Sequence, residues 1–154
     1  MAGKLEREIK QKRPFSSVQE EVVLAIMRTS DEVVVPINNV LRTANISASQ
    51  YNILRILRGA GEDGLPCGEI GERMVRRDPD LTRLLDRLET SDLVVRSRDT
   101  RDRRIVRASI TNEGLALLAS LEAPMQEGLK RALAHVPVAR LRTLLEILEE
   151  VRGA

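Results

Sequence analysis

Arginine side chains are concentrated in the middle of this 154-residue chain. Between residues 73 and 107 there are eleven arginines and seven acidic residues, whereas the formal net charge of the whole chain is only +2. The planar fork of a guanidinium group can bridge a phosphate, or the O6 and N7 acceptors of guanine. The distribution of charge, more than its sum, therefore makes this segment a candidate for nucleic-acid recognition.

One amphipathic helix carries part of this segment. Asp78 and Pro79 predict its start, as N-cap and first helical residue, and the pattern continues to about Thr90. Leucines at spacings of three and four predict a buried face, and polar residues predict an exposed one. The leucines are Leu81, Leu84, Leu85 and Leu88, and the polar residues are Thr82, Arg83, Asp86 and Arg87.

Beyond Asp92 the hydrophobic period changes from that of a helix to that of strands. The β-branched segments 93–97 and 105–110 are separated by the wholly polar run 98–104, which predicts a β-hairpin with a charged tip. At that tip Arg101 and Arg103 are candidates to enter a minor groove, while Asp102 and Arg104 are close enough to brace the hairpin. Two short helices followed by such a hairpin describe a winged helix-turn-helix, whose second helix lies in the major groove of DNA.

Cap residues outline three of the other helices. Ser17 followed by Glu20, and Ser47 followed by Gln50, have the spacing of capping boxes, and Thr111 is a further N-cap. The glycine-containing stretch 59–64 predicts a loop after the second of these helices.

Prolines mark further helix boundaries. Pro66 suits the first turn of a short helix, and Pro137 or Val138 begins the last one. Pro36 and Pro124 predict a kink or an interruption in the helices that contain them, because proline lacks the N–H that a helix interior needs.

Both terminal helices carry wide apolar stripes that one small winged-helix domain cannot cover. Burying such a stripe against a second copy of the chain stabilises the pair by about 25 cal/mol per Å² of apolar area. A symmetric dimer would place its recognition helices about 34 Å apart and so predicts a palindromic site. The dimerisation residues that we predict are Val22, Val23, Ile26, Leu141, Leu144, Leu145 and Leu148.

The segment from Ser47 to Gly114 resembles the MarR (multiple-antibiotic-resistance regulator) family of transcription factors. Three stretches carry the resemblance: LTRLLDRLE at 81–89, DTRDRR at 99–104 and ITNEG at 110–114. The resemblance extends more loosely along the terminal helices. One departure is Asp92, where the family often has glycine. Aspartate tolerates a left-handed conformation, but less readily than glycine does.

This resemblance implies a mainly α fold with a small β-hairpin wing (α+β), a winged helix-turn-helix of about six helices in one domain. It assigns residues 47–114 to DNA binding, and residues 17–42 and 124–152 to dimerisation helices that interlock across a twofold axis. It also implies a repressor that binds a palindromic operator in double-stranded DNA as a homodimer. The DNA-binding residues that we predict are Arg76, Arg77, Thr82, Arg83, Arg87, Arg101, Arg103 and Arg104.

The resemblance further implies an effector pocket between the dimerisation helices and the winged helix. An effector bound there would favour a spacing of recognition helices that no longer fits adjacent grooves. The chain has only two aromatic residues, and an apolar interior of this kind suits a small aromatic or phenolic acid. An arginine such as Arg28 or Arg42 would neutralise that acid. No cofactor and no metal are expected.

Other features of the sequence limit the alternatives. The longest uncharged apolar run, residues 33–37, is far below the roughly 20 residues that span a bilayer, and residues 1–14 are too charged for a signal peptide, so we expect a cytoplasmic protein. The single cysteine, Cys67, excludes an intramolecular disulfide; a tolerated small residue is favoured over a redox-active thiolate. His135 has no partner motif and is expected in a loop or interface.

Three other functional interpretations compete with DNA binding. The arginines could form a solvated surface that pairs with Asp78, Asp86, Asp99 and Asp102. A winged-helix dimer could instead serve as a protein-binding scaffold, whose affinity would depend little on salt. An enzyme is the weakest interpretation, because the chain has no phosphate-cradling glycine loop, no Cys/His pairing and no nucleophile motif.

Overall fold

Seven helices and one three-stranded antiparallel sheet make up residues 3–153, the part of the chain that this computed structural model describes. The helices are α1 (Lys4–Glu8), α2 (Val18–Arg42), α3 (Ala48–Ala60), α4 (Cys67–Arg73), α5 (Leu81–Thr90), α6 (Asn112–Leu133) and α7 (Val138–Arg152). The strands are β1 (Leu65–Pro66), β2 (Val94–Arg98) and β3 (Val106–Ile110). The predicted α+β winged-helix class is confirmed.

The chain divides into two compact units, with the boundary between Pro36 and Ile37. The first unit contains α1 and most of α2. The second contains the end of α2 and every later element. The assignment of residues 17–42, 47–114 and 124–152 to separate roles stays a prediction.

Polar caps begin the helices where the sequence predicts them. Ser47 Oγ accepts a hydrogen bond from Gln50 N at 3.1 Å, and Gln50 Oε1 accepts one from Ser47 N at 2.9 Å, which completes a capping box. Thr111 Oγ1 likewise accepts from Gly114 N at 3.0 Å. These bonds satisfy amide groups that have no partner inside the helix.

The predicted interruptions do not occur, because α2 continues through Pro36 and α6 continues through Pro124; a kink at Pro36 stays a prediction. A proline inside a helix costs about 3 kcal/mol or more. In α6 the packing around the proline offsets this cost, since Leu121 and Met125 are each only 4% exposed and share a cluster with Leu41. Tertiary packing therefore overrides the local signal.

The start of α5 also differs from the prediction. Asp80, not Asp78, is its N-cap, and Leu81 is the first helical residue. Asp78 Oδ1 instead accepts a hydrogen bond from Asp80 N at 2.9 Å, so Asp78 and Pro79 belong to a turn that precedes the helix.

The sheet has the order β1-β3-β2, which places β2 at one edge. The hairpin pairs Val94 with Ile110 and Arg98 with Val106, within one residue of the predicted strand bounds. The two-residue strand β1 adds to the other side of β3, where Leu65 faces Ala108. Gly64 permits this approach, because a Cβ at that position would lie 2.1 Å from the carbonyl oxygen of Ala108.

The main core joins α3, α4, α5, α6 and the sheet. Its fully buried side chains interlock helices that are far apart in sequence and hold α5 against the hairpin. They include Ile53, Leu54, Leu57, Ile70, Leu85, Leu88 and Val94. No helix among residues 3–153 is long and apolar enough to cross a membrane.

Candidate nucleic-acid interface

Helix α5 buries its leucines and exposes its polar face, as its sequence predicts. Leu85 and Leu88 are each 1% exposed and belong to the main core. Thr82, Arg83 and Arg87 are exposed on the other side of the helix. The groove-facing residues inferred from the sequence are therefore exposed to solvent.

The turn between α4 and α5 carries two more exposed arginines, Arg76 and Arg77. They follow Val75, whose side chain is 89% exposed and whose N–H donates a hydrogen bond to Asn52 Oδ1 at 2.8 Å. Asn52 on α3 thus anchors the turn that leads to α5. The sequence analysis did not identify Asn52, and its only signal was a polar side chain beside the apolar face of α3.

Aspartates shape the tip of the hairpin. Asp99 Oδ1 accepts hydrogen bonds from the backbone N–H groups of Arg101 and Asp102, at 2.8 and 3.0 Å. Those N–H groups hold the pKa of Asp99 below its usual range. Asp102 pairs with Arg104 at 3.0 Å, which confirms the predicted brace, and the Arg104 guanidinium lowers the pKa of Asp102.

A longer connection ties the hairpin to the loop before β1. Arg107 on β3 donates hydrogen bonds to the carbonyl oxygens of Asp63 and Gly64, each at 3.2 Å. Its guanidinium also lies 3.4 Å from Asp99 Oδ2. Arg107 therefore supports the end of the hairpin strands next to the tip, a role that depends on residues more than 40 positions away in sequence.

Arg96 on β2 is held by the polar face of α5. Its guanidinium lies 2.5 Å from Asp86 Oδ1 and 3.0 Å from Glu89 Oε1. Hydrogen bonds from the side chain and backbone of Arg96 lower the pKa of Glu89, and the same side-chain bond raises the pKa of Arg96.

Local ion pairs divide the basic segment into two groups of arginines. Arg96, Arg104 and Arg107 are paired at 2.5–3.4 Å, and Arg73 is paired with Glu69, so the interpretation of local pairing holds for them. A second group is exposed and has no ion pair within residues 3–153. Its members are Arg76, Arg77, Arg87, Arg98, Arg101 and Arg103.

Arg83 is intermediate between these groups, since its guanidinium lies 3.8 Å from Asp80 Oδ2 with both side chains more than half exposed. Both side chains border a surface depression of about 280 Å³. It is lined by Asp78, Asp80, Arg83, Leu84 and Arg87. The first turn of α5 therefore presents both signs of charge to solvent.

Cys67 and His135 do not form a reactive site. Burial raises the pKa of the Cys67 thiol, and this effect exceeds the opposing influence of the nearby Arg96 charge, so the thiolate form is disfavoured. His135 lies exposed in the turn between α6 and α7. Within residues 3–153 no three His, Cys, Asp or Glu side chains are grouped to hold a metal ion.

The predicted dimerisation residues lie on two helices and are accessible. On α2, Val22, Val23 and Ile26 are between 37% and 55% exposed. Helix α7 has no buried residue; Leu144 and Leu145 are 47% and 61% exposed. Leu141 and Leu148 are partly exposed on the same helix.

Comparisons with known proteins agree on one family. The model of the MarR family matches residues 46–106. A MarR transcription factor from Planctomyces limnophilus is 35% identical in sequence, with 88% of this chain and 98% of that chain covered and a TM-score of 0.69. The homoprotocatechuate degradative operon repressor of Escherichia coli is 24% identical over 133 residues, 86% of this chain and 88% of the repressor.

A third relative shares the fold at lower sequence identity. BpsR of Bordetella bronchiseptica, whose DNA binding is regulated by 6-hydroxynicotinic acid, is 19% identical. The match covers 92% of this chain and 99% of BpsR, with a TM-score of 0.80.

Proposed function

The chain belongs to the MarR family of DNA-binding transcriptional regulators, and on this premise we propose that it is a homodimeric, ligand-responsive repressor of a palindromic operator. Members of this family are transcriptional regulators and not enzymes. An operator-binding protein acts where the DNA is, so we expect it to work in the cytoplasm.

The observation that carries this proposal is that exposed arginines without an ion pair inside residues 3–153 lie on α5, in the turn before it and on the hairpin: Arg87, Arg76, Arg77, Arg101 and Arg103. In the proposed complex α5 is the recognition helix and lies in the major groove, where Thr82, Arg83 and Arg87 read base edges. Arg101 and Arg103 at the tip of the hairpin, which acts as the wing, enter the adjacent minor groove. Arg76 and Arg77 contact phosphates, while Arg104 stays paired with Asp102 and braces the wing.

The uncovered apolar surface of α7 supports the dimer. Five of its large apolar side chains are at least 47% exposed: Val138, Leu144, Leu145, Ile147 and Val151. Exposed apolar side chains in this number on one helix indicate an interface, and a twofold partner is the commonest solution. Two recognition helices related by that axis would meet two half-sites, which is why we propose a palindromic operator.

The relatives support a small aromatic effector. The regulation of BpsR by 6-hydroxynicotinic acid, a hydroxylated aromatic acid, fits the phenolic or aromatic class expected from the sequence. Arg42 is a better candidate than Arg28 to neutralise such an acid, because Arg28 is paired with Glu32 at 3.1 Å. An effector that favours one dimer state about 100-fold over the other would shift the equilibrium by roughly 2.7 kcal/mol.

A gel-shift titration against the DNA that flanks the gene tests the proposal. Specific binding should resist unrelated competitor DNA and weaken with salt, by about 0.9 in the log–log slope for each phosphate contacted. Arg83→Ala or Arg87→Ala should each reduce operator affinity by about 1–3 kcal/mol and relax base preference, and Arg103→Ala should weaken binding through the wing. A panel of hydroxylated aromatic acids then tests release of the operator.

The matched control is Arg131→Ala, which removes the same charge from the exposed surface of α6. It should leave operator affinity unchanged. If Arg83→Ala, Arg87→Ala and Arg103→Ala all behave like this control, the assignment of the interface is wrong. If random-site selection also finds no specific DNA, a protein-binding scaffold becomes the better explanation of the same fold.

A further inference from the structure

Arg96 occupies a position on β2 where the strand pattern calls for a core residue. Alternate residues of a strand share one face, and Val94, two positions earlier, is only 2% exposed. The Arg96 side chain is 22% exposed, whereas that of Arg104 in the same hairpin is 91% exposed. The charged group is therefore turned toward α5 and away from solvent.

Two carboxylates of α5 take up this charge. The guanidinium donates to Asp86 Oδ1 at 2.5 Å, and to Glu89 Oε1 from Nη2 at 3.0 Å and from Nε at 3.3 Å. The backbone N–H of Arg96 also donates to Glu89 Oε2, at 2.7 Å. Because β2 is an edge strand, its outward-facing N–H groups have no partner strand, and Glu89 supplies the acceptor for the N–H of Arg96.

We propose that Arg96, Asp86 and Glu89 form a clamp that fixes the wing relative to the recognition helix, which makes Arg96 a positioning residue for operator binding. The inference rests on the proposed function, because it assigns to the clamp the task of presenting both DNA-contacting elements in one register. It differs from a direct role, in which the Arg96 guanidinium would itself contact a phosphate.

The geometry favours positioning over direct contact. Nε and Nη2 of the guanidinium both donate to Glu89 Oε1, and Nη2 also donates to Asp86 Oδ1, so these charge-assisted bonds fix the direction of the group as well as its distance. The clamp joins elements that the chain connects through only three residues, 91–93, with Asp92 in a left-handed conformation at φ 58. Without the clamp the hairpin would have more freedom about this turn, and ordering it on DNA would cost affinity.

Three single variants test the clamp: Arg96→Met, Glu89→Gln and Asp86→Asn. Arg96→Met keeps the aliphatic stem and should lower operator affinity by roughly 3- to 30-fold, the range typical of coupled contacts, with a smaller change in affinity for non-specific DNA. Arg96→Lys should fall between the wild type and Arg96→Met, because lysine keeps the charge but lacks the planar fork that brings both Nε and Nη2 to Glu89. Arg131→Met, which breaks the pair with Glu127 inside α6, is the matched control.

Glu89→Gln separates the two roles of Arg96. It removes a negative charge and leaves the Arg96 cation in place, so a direct phosphate contact would become stronger or stay the same. Positioning predicts the opposite, a loss of operator affinity relative to non-specific DNA. The double variant Arg96→Met with Glu89→Gln should lose little more than the larger single effect, since both changes break one clamp.

A measurement without DNA tests the clamp on its own. Amide hydrogen exchange in the free protein should be faster at residues 96–98 in Arg96→Met and Glu89→Gln than in the wild type, and unchanged in α3. If the wild type binds no operator and the variants still exchange faster than the wild type at residues 96–98, the proposed function is overturned and the clamp stands.

Two results would overturn the clamp. One is an unchanged exchange pattern together with an unchanged ratio of operator to non-specific affinity in all three variants. The other is an equal loss of specific and non-specific binding in Arg96→Met, with the salt slope reduced by about 0.9, which is the signature of a lost phosphate contact. If Arg96→Met does not fold, Glu89→Gln and Asp86→Asn provide the same tests.

Discussion

Helices α5 and α7 have similar leucine spacing but different surroundings. On α5, Leu85 and Leu88 are 1% exposed and contribute to the main core. On α7, Leu144 and Leu145 are 47% and 61% exposed, and none of its residues is buried. An apolar stripe therefore determines which face of a helix must be covered. The rest of the fold determines whether the same chain covers that face.

A substitution in the buried face of α5 should have the largest effect on the free energy of unfolding. Leu85→Ala removes a side chain that is 1% exposed and leaves a cavity between α5 and its neighbours, which should cost about 2–5 kcal/mol in the free energy of unfolding. Urea denaturation followed by circular dichroism measures this loss. A cost below about 1 kcal/mol, the value typical of surface sites, would mean that the core around α5 is not packed as described.

A substitution on the apolar face of α7 should change dimerisation more than it changes folding stability. Leu145→Glu places a charge on the proposed dimer surface, and the cost of burying it should weaken dimerisation at least roughly tenfold. Sedimentation velocity over a range of protein concentrations measures the change, and operator affinity should fall with it. Arg142→Gln, at an exposed position of the same helix, is the control. A wild type that stays monomeric at micromolar concentration would refute the proposed interface.

Acid should reduce the stability of the contact between α5 and the hairpin, by less than the two substitutions above. The pKa values of Glu89, Asp99 and Asp102 are held below their usual ranges by hydrogen bonds in the hairpin and its contact with α5. Groups with a depressed pKa in the folded state stabilise it above their unfolded pKa, and this contribution is lost as pH falls through the folded value. Stability should therefore be level from pH 8 to about 6 and decrease below about pH 4.5.

Thermal melts at pH 7, 5, 4 and 3 measure this decrease, and the effect should be modest because solvent screens these partly exposed groups. Glu89→Gln should melt with a shallower pH dependence than the wild type. Identical pH profiles for the two proteins would show that the pKa of Glu89 is not depressed in the folded state.

Much of the fold was predictable because its signals are local. The capping residues Ser47 and Thr111 act within three positions of themselves, and the change of period after Asp92 marks the hairpin. Asp92 does adopt the left-handed conformation that its position after α5 implies. Signals of this range are visible in the sequence because both partners lie in one short window.

The errors fall where distant residues decide the outcome. Pro124 does not interrupt α6, since Leu121 and Met125 are held in a cluster with Leu41 that no local rule contains. Strand β1 was not predicted from its own residues, because two residues form a strand only when β3 lies beside them. The anchoring of Val75 by Asn52 joins positions 23 residues apart.

The candidate interface shows the same division. Its composition identified the basic segment, but composition does not separate arginines that face solvent from those that brace the fold. Arg96 and Arg103 are equivalent as residue types; one is clamped by Asp86 and Glu89, and the other has no ion pair within residues 3–153. This distinction between the two arginines comes from the hairpin register and the orientation of α5.

The sequence by itself determined the helical and strand periods, the faces that must be buried and the location of the excess positive charge. These properties depend on side-chain chemistry repeated along a few turns of chain. The tertiary structure alone decided that Pro124 is tolerated inside α6, which arginine is clamped and that Asn52 anchors the turn before α5. Each of these outcomes depends on a partner brought close only by folding, and the energy of a contact is defined only when both partners are in place.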